Sequence, residues 1–124
     1  MIYLDTHIVV WLYAGKVEKL TKQSRDLIND NQVLISPIVR LELQYLFEIQ
    51  RITDDAKLIV SDLSDRIGLK ICDKNFNTIM SNALEYSWTR DPFDRIIVAN
   101  ADINQNILMT KDQTILNHYK KAMC

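Results

Sequence analysis

Short apolar runs alternate with amphipathic stretches along the chain. Ile2-Tyr3-Leu4 is apolar and stops at Asp5-Thr6, which reads as a buried strand entering a turn. Ile8 to Tyr13 is apolar with helical spacing and stops near Gly15. Val33-Leu34-Ile35 repeats the strand pattern. Ser36-Pro37 behind it supplies an N-cap and a proline for the first helical position. The helix opened there reaches Gln50 and is apolar on most faces. Asp54 to Ile67 is amphipathic and ends at Gly68, and Leu69-Lys70-Ile71 gives a third short strand. Asn75 to Ser87 reads as a helix with Phe76, Ile79, Met80, Ala83 and Leu84 on its buried side. Asp91-Pro92 opens another, with Ile96, Ile97, Val98 and Ala99 in its body. Ile107-Leu108-Met109 is a strand, followed by Thr110-Lys111-Asp112 and a last short helix. A strand after His118 has only Tyr119 to Cys124 to draw on, so it would be short or missing.

Strands alternating with helices predict an α/β fold with a parallel sheet covered on both faces. At 124 residues the chain fits one domain, residues 1–124, with a real hydrophobic core. Two glycines and two prolines leave no material for a linker, and no internal repeat is visible. A formal net charge of −1 excludes chain-wide electrostatic attraction to nucleic acid, so any RNA contact needs a local basic patch. Lys16, Lys19, Lys22 and Arg25 recur every third residue and would line up as one basic stripe on a helix. Cys72 and Cys124 lack metal-site spacing and read as reduced thiols, in keeping with a cytoplasmic location. The opening Met1-Ile2-Tyr3-Leu4-Asp5 has no basic region ahead of it, which argues against a signal peptide. No apolar run is long enough to span a bilayer, so no membrane association is expected.

The chemistry lies in the carboxylates. Asp5 follows the first strand and Asp112 follows the strand Ile107–Met109. In open α/β sheets ligands bind beyond the carboxyl ends of the strands, so both acids belong at that edge. Glu42 sits early in the helix after the second strand, among apolar neighbours where an unpaired acid is costly. Asp91 and Asp94 open the helix at Pro92. Each acid also has a local role open to it. Asp5, Asp91 and Asp112 can cap helices, and Asp94 fits the first turn of one. Several carboxylates at one spot stay ionised together only with a cation among them. Oxygen-only ligands select Mg2+ or Mn2+, and two histidines, His7 and His118, are too few for a zinc site.

The chain resembles the PIN-domain family, and within it the VapC-type toxins of bacterial toxin–antitoxin pairs. The resemblance rests on Leu4-Asp5-Thr6-His7, on Glu42 in the helix after Ser36-Pro37, on the stretch Arg90 to Ala99, and on Thr110-Lys111-Asp112. It implies a three-layer α/β/α fold with a central parallel sheet, and a Mg2+- or Mn2+-dependent endoribonuclease. It also implies that Asp5, Glu42 and Asp94 form the core of a metal site that Asp112 completes, while Asp91 holds the helix start. A homodimer and a cognate antitoxin protein are implied as partners.

Arg40, Arg90, Arg95 and Lys111 are candidates for holding RNA phosphates. Thr6 and Thr110 could orient bound water or simply cap helices. Trp11, Tyr13, Tyr45, Phe47 and Trp88 could stack bases or serve as core. Two other readings stay open. One is a receiver-like signalling domain, with Asp73 as the phosphorylated acid. The other is a binding protein that keeps the fold without the activity.

Overall fold

The structure is a computed structural model that describes residues 1–124. The strands are β1 (Ile2–Leu4), β2 (Val33–Ile35), β3 (Lys70–Ile71), β4 (Ile107–Met109) and β5 (Ala122–Met123). They form one parallel sheet in the order β3-β2-β1-β4-β5. Ile2, Tyr3 and Leu4 are all buried. Successive strand residues point to opposite faces, so both faces of β1 are covered. The helices that cover them are α1 (Thr6–Ala14), α2 (Lys22–Asp30), α3 (Pro37–Glu48), α4 (Ala56–Ile67), α5 (Phe76–Ala83), α6 (Pro92–Asp102) and α7 (Gln113–His118).

The expected α/β class and parallel sheet are present. The strand order removes the receiver-like reading. A receiver-type sheet runs 2-1-3-4-5 and flanks its first strand with the second and third. Here β1 lies between β2 and β4, and β3 is a two-residue edge strand. Asp73 therefore follows an edge strand, away from the crevice.

Helix boundaries follow local chemistry. Ser36 Oγ accepts from Ile38 N at the start of α3, with Pro37 in the first turn. Gly68 ends α4 with φ at 70°, a left-handed conformation that costs glycine nothing. Where expectation and structure differ, packing explains it. The basic stripe does not form on one helix. Val17–Lys19 make a 3-10 turn, Leu20 is extended and buried, and Thr21 caps α2 by accepting from Ser24 N. Burying Leu20 and capping α2 outweigh continuing a helix. The helix expected over Asn75–Ser87 ends at Ala83. Its Ile79 and Ala83 pack on Ala99 of α6, while Phe76 and Leu84 are exposed, because α5 has only one covered face. The short last strand, β5, does form. It pairs with β4, and Met123 O accepts from Thr110 N at 2.9 Å. No helix is long and apolar enough to cross a membrane.

Candidate active site

The sheet order reverses between β1 and β4, and such a switch point opens a crevice at the carboxyl ends of the two strands. Leu4 is in register with Met109, so Asp5 and Thr110 emerge side by side. Asp5 N donates to Met109 O at 2.9 Å, which ties the first acid to β4 before α1 begins. The Asp5 carboxylate accepts from Thr6 N at 2.7 Å through Oδ1 and from Thr110 Oγ1 at 2.6 Å through Oδ2. Asp5 is both the N-cap of α1 and a buried carboxylate at the crevice floor.

Glu42 arrives from α3. Its Oε1 accepts from Thr6 Oγ1, which links the α3 acid to α1 and, through Thr6, to Asp5. Asp91 caps α6, accepting from Phe93 N at 2.8 Å and Asp94 N at 3.2 Å. That leaves Asp94 in the first turn, where the helix dipole favours negative charge. Asp112 caps α7 by accepting from Ile115 N at 3.0 Å, and its own N–H donates to Thr110 Oγ1 at 3.0 Å. Thr110 thus holds acids on both sides of it. Neither Thr6 nor Thr110 uses its hydroxyl to cap a helix. Each hydroxyl bonds an acid of the crevice.

Asp5, His7, Glu42, Asp91, Asp94, Lys111 and Asp112 line one recess with no apolar residue in it. All four acids expected to form the site are there. In this arrangement no three of the acidic, histidine or cysteine side chains already enclose an ion position. The recess is an open, acid-lined pocket, not a closed cage.

The charges strain against each other. Burial, then the negative charges of Asp5, Asp91, Asp112 and Glu42, push the Asp94 carboxyl up to about 8. Burial also raises Glu42, opposed by the bond from Thr6 and reinforced by Asp5 and Asp91. Burial raises Asp5 against the bonds from Thr110 and Thr6 N, which favour its ionised form. His7 is lowered by burial and by Lys111, with Asp5 and Asp112 pulling the other way.

His7 also lines the recess. It closes the Leu4-Asp5-Thr6-His7 stretch, but it lies two residues after Asp5, a spacing that does not by itself place both side chains on one helix face, so local spacing does not predict its entry. Among the basic candidates only Lys111 lines the recess. Arg95 turns to α5, where its guanidinium donates to Ala83 O at 3.1 Å and Leu84 O at 3.2 Å. Arg90 donates to Ser87 O, and Arg40 to Pro37 O.

A family model described as the PIN domain matches residues 2–121. The chain belongs to the PIN domain family. No curated protein matches the chain in sequence. Solved structures that resemble this PIN domain include VapBC2 from Rickettsia felis bound to a DNA fragment from its promoter. That chain has TM-score 0.64 and 21% identity over 94% of this chain and 92% of the other. A toxin–antitoxin complex from Klebsiella pneumoniae gives 0.66 and 17%, covering 100% of this chain and 97% of the other. VapBC-1 from nontypeable Haemophilus influenzae gives 0.63 and 18%, covering 94% of each. At these identities the likeness is one of fold. The PIN domain described here shares its layout with those chains over nearly its full length.

Proposed function

We propose that this PIN domain is a Mg2+- or Mn2+-dependent endoribonuclease, the toxin half of a toxin–antitoxin pair. One observation carries the reading. Five carboxylates share a recess whose only Lys or Arg is Lys111, and burial together with their mutual repulsion lifts Asp94 to about 8. A phosphodiester is an anion, and a recess of this charge repels it unless a cation intervenes. The donor set is all oxygen, which fits a hard divalent ion, and PIN-domain nucleases generally use divalent metals. Asp5, Glu42, Asp94 and Asp112 would hold the ion. Bound there, it would supply Lewis acidity and an activated water for hydrolysis.

The protein's own residues prepare that chemistry. Thr110 and Thr6 donate to Asp5 and Glu42 and favour their ionised forms. Asp91 and Asp112 are fixed by backbone N–H groups at helix starts. Asp94 has no hydrogen-bond donor to its carboxylate within the protein and is the acid with the least compensated charge. Lys111 lines the recess and would hold a phosphate oxygen. Arg40 and Arg90 are exposed outside the recess, bonded to Pro37 O and Ser87 O, and would reach RNA phosphates only beyond its rim.

Purified protein should cut RNA with Mg2+ or Mn2+ and stop in EDTA. Full activity of metal-stripped protein in EDTA overturns the mechanism. Sequencing RNA ends after brief expression in cells identifies the target.

The partners follow from surface chemistry and from the resemblance to toxin–antitoxin structures. Leu41, Tyr45 and Ile49 are exposed at four-residue spacing along one face of the α3 region. An apolar row of this kind fits a protein partner, either the second copy of a homodimer or an antitoxin. A cytoplasmic location accords with an RNA substrate.

A further inference from the structure

A second cavity lies at the far ends of the two helices that begin at the acidic recess. Its volume is about 360 Å3, within the range of small-molecule sites. α6 carries Asp94 in its first turn and Asp102 as its last residue, and Asp102 lines this cavity. α7 is capped by Asp112 and ends at His118, which also lines it. By helical rise the two openings lie on the order of 10 Å apart.

The walls are aromatic. Trp88 and His118 stack with ring centroids 4.8 Å apart and planes 6° from parallel, and Tyr86 packs on Trp88 at 6.0 Å. The hydroxyls of Tyr86 and Tyr119 are already engaged. Tyr86 donates to Asp102 Oδ2, and Tyr119 donates to Asn106 O at 2.6 Å. These side chains therefore offer ring surface to the cavity. His118 Nδ1 bonds Thr114 O at 2.9 Å, which orients the imidazole against the indole. Lys120 and Lys121 bring positive charge to the same cavity. Gln105 reaches it from a left-handed backbone position with φ at 52°, where a residue without a Cβ would be unstrained. Gln105 and Asp102 add an amide and a carboxylate to the lining.

We propose that this cavity binds one nucleotide, with the base on the Trp88–His118 wall and the phosphate at Lys120 and Lys121. Flat aromatic surface is the general platform for an unpaired base, and lysine beside it is the usual phosphate partner. Asp102 accepts hydrogen bonds only, so it favours guanine, the one base whose pairing edge presents two adjacent donors, N1–H and N2–H2. The nucleotide is either one residue of the RNA substrate or a free nucleotide. The first source rests on the ribonuclease reading above, and the binding site itself does not.

The test uses a Trp11→Phe protein, in which Trp88 is the single tryptophan, titrated in EDTA with the ribonucleoside monophosphates AMP, GMP, CMP and UMP. Saturable quenching of Trp88 fluorescence at roughly millimolar concentration is expected, strongest for GMP. The nucleosides without phosphate should bind at least ~5-fold more weakly, and Lys120→Ala/Lys121→Ala should remove that difference. No saturable quenching by any of these nucleotides, or quenching unchanged in the lysine variant, overturns the proposal. Cleavage assays with metal then assign the source. A rise in KM for long RNA at unchanged kcat in the lysine variant assigns an RNA residue. An unchanged KM with nucleotide binding lost in that variant assigns a free nucleotide. The titration needs neither metal nor turnover, so a protein that cuts no RNA fails the ribonuclease reading and leaves this test able to succeed or fail by itself.

Discussion

Thr110 Oγ1 donates to Asp5 Oδ2 at 2.6 Å across a sequence separation of 105 residues, with both residues buried. The bond joins the ends of β1 and β4 at the point where the sheet order reverses. The same hydroxyl accepts from Asp112 N. Thr110→Val keeps the shape but leaves a buried carboxylate and a backbone N–H without their partner. Loss of about 1–3 kcal/mol of stability is expected, together with reduced cleavage. Thr110→Ser should restore most of both. Thermal melts and RNA cleavage of the two variants check this, and a fully stable Thr110→Val overturns it.

Asp91 and Asp94 are separated by three residues and should respond oppositely to loss of charge. Asn caps a helix about as well as Asp, so Asp91→Asn should fold normally and keep most activity. Asp94→Asn removes the most repelled charge of the recess, so the metal-free protein should be equally stable or more so. Its cleavage should fall by at least ~100-fold, as expected for a ligand of a catalytic ion. An active Asp94→Asn beside a folded but inactive Asp91→Asn would show the roles reversed.

The stability of the metal-free protein should depend on pH. The Asp94 carboxyl moves from its ordinary 3.8 to about 8 on folding. The folded state therefore binds the proton more tightly than the unfolded state across that interval. Stability is full below pH ~4 for this group and is lost as pH rises through about 8. The raised Glu42 and Asp5 act with the same sign. Melting temperature in EDTA should fall between pH 5 and pH 9, and Asp94→Asn should flatten the fall. A melting temperature that rises over this range contradicts the charge balance described for the recess.

The exposed row Leu41, Tyr45, Ile49 should be covered in solution by a second copy of the chain. Light scattering should give a dimer, and Leu41→Lys should shift it toward monomer without lowering the secondary-structure signal. A monomer at high concentration of the unaltered protein removes the homodimer from the reading.

Local sequence determined the elements and the identity of the acids. Ser36-Pro37, Asp91-Pro92 and Gly68 mark helix ends because capping and proline geometry depend only on residues a few positions away. Ile2–Leu4, Val33–Ile35 and Ile107–Met109 read as strands because a run of buried side chains on both faces is visible in the run itself. Tertiary structure decided what those elements do together. Only the placement of β1 beside β4 brings Thr110 to Asp5, and only the convergence of α3 and α6 on that edge sets Glu42 and Asp94 within reach of its charge. The turn of Arg95 toward α5, the entry of His7 into the recess and the break of the basic stripe at Leu20 belong to the same class. Each depends on which surfaces meet, and that follows from burial and charge summed over residues far apart in the chain, which no local spacing records.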